Sequence, residues 1–333
     1  MQIQYNFKTD TDNWCIDKIC RFGCFANNDE KTLGKLIRLF NIIRHNVPAI
    51  PRNINIAKEL QCPDELLEGY NLLLDEIRNG IDIMPRASRQ QRNNNHKDEL
   101  LLDWGVHHLH LGRNKIATGK NKGMIEGGKY IAFVLFDKNQ AYVIGIYDHN
   151  SWADENILKV IAENWPHILA PYKIPRNHDE TIIAIDRKLM RSHRINVPIM
   201  INSELYFGPG GGFSMSGFCS DDSEKASNIL RSLDKIDKWM LNNSEIIIDI
   251  LQEYTDSGTE VVNLELNIGR LLFDEAISLS TQNNSINIHF PSTSMPWVLL
   301  DPAWTEILAP DIKIIKSIFN EDFDGITIEY TPK

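Results

Sequence analysis

Apolar residues recur every three to four positions through the first quarter of the chain, at Leu33, Leu36, Ile37 and Phe40 and again at Leu66, Leu67, Tyr70, Leu73 and Leu74. That period is one face of an α-helix. The two runs are separated by the turn-rich stretch Val47-Pro-Ala-Ile-Pro-Arg-Asn53, so the pattern predicts a helical N-terminal module over residues 1–92. Its end is a polar, asparagine-rich segment from Arg86 to Lys97, read as a linker or mobile loop.

The pattern then changes. Gly105 to Leu111, Tyr130 to Phe136 and Ala141 to Tyr147 read as strands, and Asp137-Lys-Asn-Gln140 is a polar turn of hairpin length between the last two. Ser151 or Asp154 can cap a following helix with apolar positions at Ile157, Val160, Ile161 and Trp165. Strand, long basic loop, hairpin and helix form one unit over residues 97–175. A mixed segment, 176–254, follows, with a strand at Ile182 to Ile185, a helix from about Asp221 to Leu241 and a second helix from Glu245 to Tyr254. Residues 255–333 read as β-rich, as in Ile286-Asn-Ile-His-Phe290. The fold class expected from these elements is α+β.

Composition narrows the setting. A chain of 333 residues with 42% hydrophobic residues can bury one large core or several smaller ones. It contains no apolar run near the roughly 18 to 20 residues that span a bilayer, and Met1-Gln-Ile-Gln-Tyr-Asn-Phe-Lys8 lacks the order of a secretory signal. A cytoplasmic protein without membrane contact is expected. The cysteines Cys15, Cys20, Cys24, Cys62 and Cys219 are odd in number and sparse, which suits reduced thiols packed as small core residues.

The net charge of −10 argues against a protein coated in nucleic acid. Between Arg86 and Lys129, however, nine basic residues stand against four acidic ones. A locally basic surface on an acidic body can hold one nucleic-acid strand.

Candidate chemistry concentrates at Asp103-Trp-Gly-Val-His-His-Leu-His-Leu111. Strand alternation puts His107 with Leu109 and Leu111 on a core face, and His108 and His110 with Val106 on the other. His108 and His110 are therefore the expected catalytic pair, since imidazole titrates near neutral pH. Tyr147-Asp-His149-Asn-Ser-Trp152 ends a strand and begins a helix, a place that commonly carries function. If the hairpin pairs with the histidine strand, His149 approaches His108 or His110. The loop Gly112 to Lys129 combines glycines, which let a backbone approach phosphates, with Arg113, Lys115, Lys120, Lys122 and Lys129, which neutralise them. It lacks the order of a nucleotide-binding P-loop. The run Gly208-Pro-Gly-Gly-Gly212 is read as a tight turn ahead of an anion-binding nest.

The order Gly105-Val-His-His-Leu-His-Leu111, glycine- and lysine-rich loop, Gly127-Gly-Lys-Tyr-Ile-Ala-Phe-Val-Leu-Phe136, turn, Ala141 to Tyr147 resembles the core of RelE/HigB-type toxins, over about 70 of the 333 residues. The resemblance implies a RelE-like small antiparallel sheet with a helix, and metal-independent endoribonuclease activity of a toxin or phage-defence kind. RNA, including ribosome-bound RNA, would be the substrate, no cofactor or metal would be needed, and an antitoxin or inhibitory protein would be the partner. Catalysis would fall to His108, His110, His149, Tyr147 and Lys129, with RNA held by Arg113, Lys115, Lys120 and Lys122. This chain departs from the family in bearing His107, His108 and His110 where arginine or lysine is typical, and in its roughly threefold greater length. Two other readings stand beside it. His-His-x-His with Asp148 and His149 could ligate a metal in a nuclease or oxygenase, and the basic loop could serve a regulatory or defence component that binds nucleic acid or protein without catalysis.

Overall fold

The computed structural model describes residues 1–89, 98–151, 154–175, 187–254, 260–273, 277–281, 286–290, 308, 320–323 and 326–330. The strand expected at Ile182 to Ile185, most of the linker up to Lys97 with its Arg92, and Trp152 lie outside them. In chain order the elements begin with β1 (Gln2–Tyr5), α1 (Phe7–Arg21), α2 (Thr32–His45), β2 (Asn53–Ile56) and α3 (Leu67–Asn79). The central part holds α4 (Glu99–Trp104), β3 (Val106–His110), β4 (Tyr130–Asp137), β5 (Gln140–Asp148), α5 (Asn156–Asn164), α6 (Pro166–Leu169), β6 (Lys173–Ile174), α7 (Arg187–Ser192), β7 (Ile199–Ile201) and β8 (Glu204–Tyr206). The last part holds α8 (Ser220–Asn242), α9 (Ser244–Tyr254), β9 (Val261–Leu266), α10 (Ile268–Phe273), β10 (Ile277–Thr281), β11 (Ile286–Phe290), β12 (Asn320–Phe323) and β13 (Ile326–Tyr330). The chain is an α+β protein divided into two compact units, residues 1–39 with 224–333, and residues 40–223.

In the first unit β1 runs parallel to β9 at one edge of a six-stranded sheet ordered β1-β9-β10-β11-β13-β12. The chain's first strand thus pairs with its β-rich last part. Asp10, in the first turn of α1, accepts a hydrogen bond from Leu266 N at 2.9 Å.

The second unit carries the histidines. Its four-stranded sheet is ordered β2-β5-β4-β3, with β3, β4 and β5 an antiparallel meander and β2 parallel to β5. The apolar runs of β4 and β5 are buried on both faces, which is why they read as continuous rather than alternating. Val106, Ile131, Phe133, Leu135, Tyr142 and Ile144 pack on one face against Ile157, Leu158 and Ile161 of α5. Leu109, Leu111, Ala132, Val134, Ala141 and Val143 pack on the other against Tyr70, Leu73, Leu74 and Ile77 of α3.

Local chemistry sets the ends of these elements. Lys138 takes a left-handed φ of 44° in the hairpin turn. Asp154 Oδ1 accepts from Asn156 N at 2.9 Å where α5 starts, and Pro166 holds Trp165 at a φ of −140°, which ends it.

The helical reading of residues 1–92 meets two strands, β1 and β2, each four residues long. The short strands β6, β7 and β8 form a further small sheet. The glycine run is a packed turn: Gly210 N donates to Asp103 O at 3.0 Å and Gly212 N to Leu102 O at 2.9 Å, so these amides are spent inside the protein. A Cβ at Gly208 would stand 2.1 Å from Asp103 O, which explains the glycine there. All five cysteines are free, and Cys20 is exposed rather than packed as a core residue. Among the described residues no helix is long and apolar enough to cross a membrane.

Candidate functional site

Edge strand β3 presents its histidines to three different environments. His107 lies on the face of Leu109 and Leu111, as alternation requires, and is buried with its ring edge-on to Phe136 at a centroid distance of 5.5 Å. Burial lowers its pKa to about 3. A histidine held neutral in the fold but protonated in the unfolded chain below pH 6.5 makes stability fall as pH falls. In urea denaturation, wild type is therefore expected to lose about 3 kcal/mol more than His107→Gln between pH 7 and pH 4. Equal losses in the two proteins would contradict a buried neutral His107.

His108 is on the opposite face but committed elsewhere. Its Nδ1 lies 3.1 Å from Asp98 Oδ2. Asp98 is itself buried and caps α4 by accepting from Leu101 N at 3.1 Å. Burial pulls the His108 pKa down, but the hydrogen bond and charge of Asp98 outweigh it and the net shift is upward. The same pair, against a large burial penalty, holds the Asp98 carboxyl below its usual range. His108, expected as half of a catalytic pair, ties β3 to the start of α4.

His110 is different. It is only 7% exposed, and its Nδ1 is buried with no hydrogen-bond partner among the described residues. Burial, then the nearby His149, His108 and Arg89, lowers its pKa to about 4. His149 closes the expected approach: its ring centroid is 5.4 Å from that of His110. The His149 Nε2 lies 2.9 Å from Gly128 O. A carbonyl only accepts, so Nε2 carries the hydrogen and Nδ1 is the ring's other functional nitrogen. The two imidazoles, with Ser88, Arg89, Gly127 and Gly128, line an open cleft of about 450 Å³.

Arg86 braces the end of β3 that carries His110. Its polar, asparagine-rich surroundings in the sequence had placed it in a linker or mobile loop, yet it is 1% exposed. Its guanidinium meets Glu76 of α3 in two contacts, at 2.5 and 2.9 Å, and donates to His110 O at 3.1 Å and Gly112 O at 3.0 Å.

Other expected site residues fall outside the cleft lining. Tyr147 stacks on Phe133 with centroids 4.8 Å apart, and its ring folds back over Gly145. Burial raises its pKa to about 12. Lys129 places its ammonium 5.0 Å from the centre of the Tyr130 ring. Arg113 is exposed and paired with Glu68 at 2.6 Å. Lys115, Lys120 and Lys122 are exposed on a hairpin-like loop whose strands meet at a Lys115–Ile125 bridge. The loop is anchored by Ile125 N donating to Pro85 O at 2.7 Å. Asp148 accepts from Asn150 N at 2.7 Å in a local turn.

Arg89, Ser88 and the Gly127-Gly128 pair were not singled out as site residues by sequence reasoning. The paired glycines at the end of the lysine loop were the available signal. Among the described residues no three of histidine, cysteine, aspartate and glutamate come together in an arrangement that could hold a metal ion. Comparison with protein-family models, curated proteins and solved structures finds no match to the chain.

Proposed function

We propose that the cleft between His110 and His149 cleaves RNA, in a metal-independent endoribonuclease of toxin or defence type. The observation that carries the reading is the imidazole pair itself, two rings 5.4 Å apart on the wall of an open cleft. His110, neutral down to about pH 4, takes the proton of an RNA 2′-hydroxyl. The 2′-oxygen then attacks phosphorus, and the bond to the 5′-oxygen breaks as His149, protonated, donates a proton to that leaving oxygen. The products are a 2′,3′-cyclic phosphate and a free 5′-hydroxyl, and no oxidant or metal enters the balance. The exposed lysines of the loop supply sequence-independent attraction for the strand.

Purified protein incubated in EDTA with a single-stranded RNA is expected to yield fragments ending in cyclic phosphate. A DNA strand of the same sequence should stay whole, because it lacks the 2′-nucleophile. Expression in bacteria is expected to arrest growth with loss of total RNA integrity. RNA left intact in vitro and in cells would sink the reading.

A further inference from the structure

The glycines of the loop from Gly112 to Gly128 do not all have the same reason to be glycine. Gly119 and Gly123 have φ of 80° and 86°, the left-handed region that other residues avoid. Gly112 has no such conformation, but a Cβ there would lie 2.3 Å from Glu126 O, so packing accounts for it. Gly127 and Gly128 are outside the left-handed region as well. A Cβ at Gly128 would meet nothing within 4 Å. A Cβ at Gly127 would stand 3.0 Å from Arg89 Nη2 and 3.6 Å from His110 Cε1. Neither conformation nor protein packing asks for the bare backbone at Gly128, and at Gly127 the missing side chain leaves a gap bordered by a guanidinium and an imidazole.

Around that gap Arg89 supplies a fixed positive charge that no negative group in the lining offsets. That lining, Ser88, Arg89, His110, Gly127, Gly128 and His149, contains no carboxylate. His110, whose buried Nδ1 has no partner among the described residues, is kept from gaining a proton first by burial and then by His149, His108 and Arg89. Bare glycine backbone beside an arginine and imidazoles suits a ligand that is compact, anionic and rich in acceptor oxygens.

We propose that Arg89, His110 and the Gly127-Gly128 backbone form a seat for one phosphoryl group, with Arg89 as its charged anchor. The proposal deepens the endoribonuclease reading by giving the scissile phosphate a place and giving Arg89 the steadying of its charge. It can also stand without that reading, since a phosphoryl seat serves a binding protein equally well.

The test follows the His110 and His149 Cε1–H resonances of the full chain during titration with inorganic phosphate, and then with a 2′-O-methyl oligonucleotide that cannot be cleaved. Both probes are expected to shift the two resonances saturably, with phosphate displaced by the oligonucleotide. Arg89→Gln, a surface change, should weaken phosphate binding by about tenfold or more. Gly127→Ala should abolish it, and Gly128→Ala should weaken it, each with an unchanged thermal unfolding midpoint. Resonances unmoved by phosphate in the wild type, or Gly127→Ala binding as tightly as wild type, would overturn the seat. If both probes bind and natural RNA stays uncut, the seat stands and the nuclease reading falls. If RNA is cut while phosphate leaves both rings unmoved, the reverse holds.

Discussion

Replacing Arg86 by alanine is expected to destabilise the second unit by about 3 to 5 kcal/mol, because removing one partner of a buried ion pair leaves the other charge and its hydrogen-bonding neighbours uncompensated. The Arg86 side chain is 1% exposed, against 23% for Glu76, which retains some solvent and places the loss toward the lower end of that range. The deletion also strands the carbonyls of His110 and Gly112, each of which accepts from Arg86 Nη1. Each stranded acceptor adds a desolvation cost of about 1 kcal/mol or more. Arg86→Met keeps most of the volume, so its difference from alanine measures the cavity, and the loss common to both measures the polar network. Arg86→Met with Glu76→Gln is expected to recover part of the stability, since the orphaned carboxylate is then neutral. Urea denaturation read at pH 7 decides the matter. A loss below about 1 kcal/mol for Arg86→Ala would show that the network carries little of the fold.

Arg86 also shows where sequence reasoning stops. It stands in a run of arginines and asparagines that composition marks as solvated, and its burial depends on a glutamate on α3 and on two carbonyls, His110 at the end of β3 and Gly112 just past it. Periodicity carries no information about such distant partners. Where the determinant is local, the reading is legible: β3, β4 and β5 follow from apolar runs bounded by turn residues, and α8 and α9 from helical spacing. Strand β2 is hidden because Asn53-Ile-Asn-Ile56 is four residues long, sits just after prolines and gains its identity only from pairing with β5.

The histidines divide along the same line. Parity along β3 assigns His107 to the core correctly, because the faces of a strand alternate by geometry. Parity cannot say what covers the other face. There His108 meets Asp98, ten residues upstream at a helix cap, whereas His110 meets the ring of His149, brought across the sheet by the register His110–Ile131–Tyr147. The candidate pair is therefore one strand position and one hairpin end, rather than two residues of a single strand.

His110→Ala is expected to lower kcat/KM for RNA cleavage by about 10³-fold, within the range that a positioned general base supplies. His149→Ala should cost a comparable factor, and the double variant little more than either alone, because two groups acting in one proton-transfer sequence are not additive. His108→Gln separates position from chemistry. It leaves buried Asp98 without its imidazole partner, so it should lower the unfolding midpoint while the folded fraction keeps most of its turnover. Tyr147→Phe and Lys129→Ala, whose side chains lie outside the cleft lining, should leave turnover near wild type. The pH profile adds a readout that a merely structural role would not move. The proposed mechanism requires the base form of His110, whose pKa is lowered to about 4, so cleavage should persist through pH 5 and fall only as the pH approaches 4. An unperturbed histidine base would lose activity below about pH 6.5. An acid limb near 6.5, or a His110→Ala variant with wild-type turnover, would move the base away from His110 and leave the cleft without the neutral imidazole on which the reaction depends.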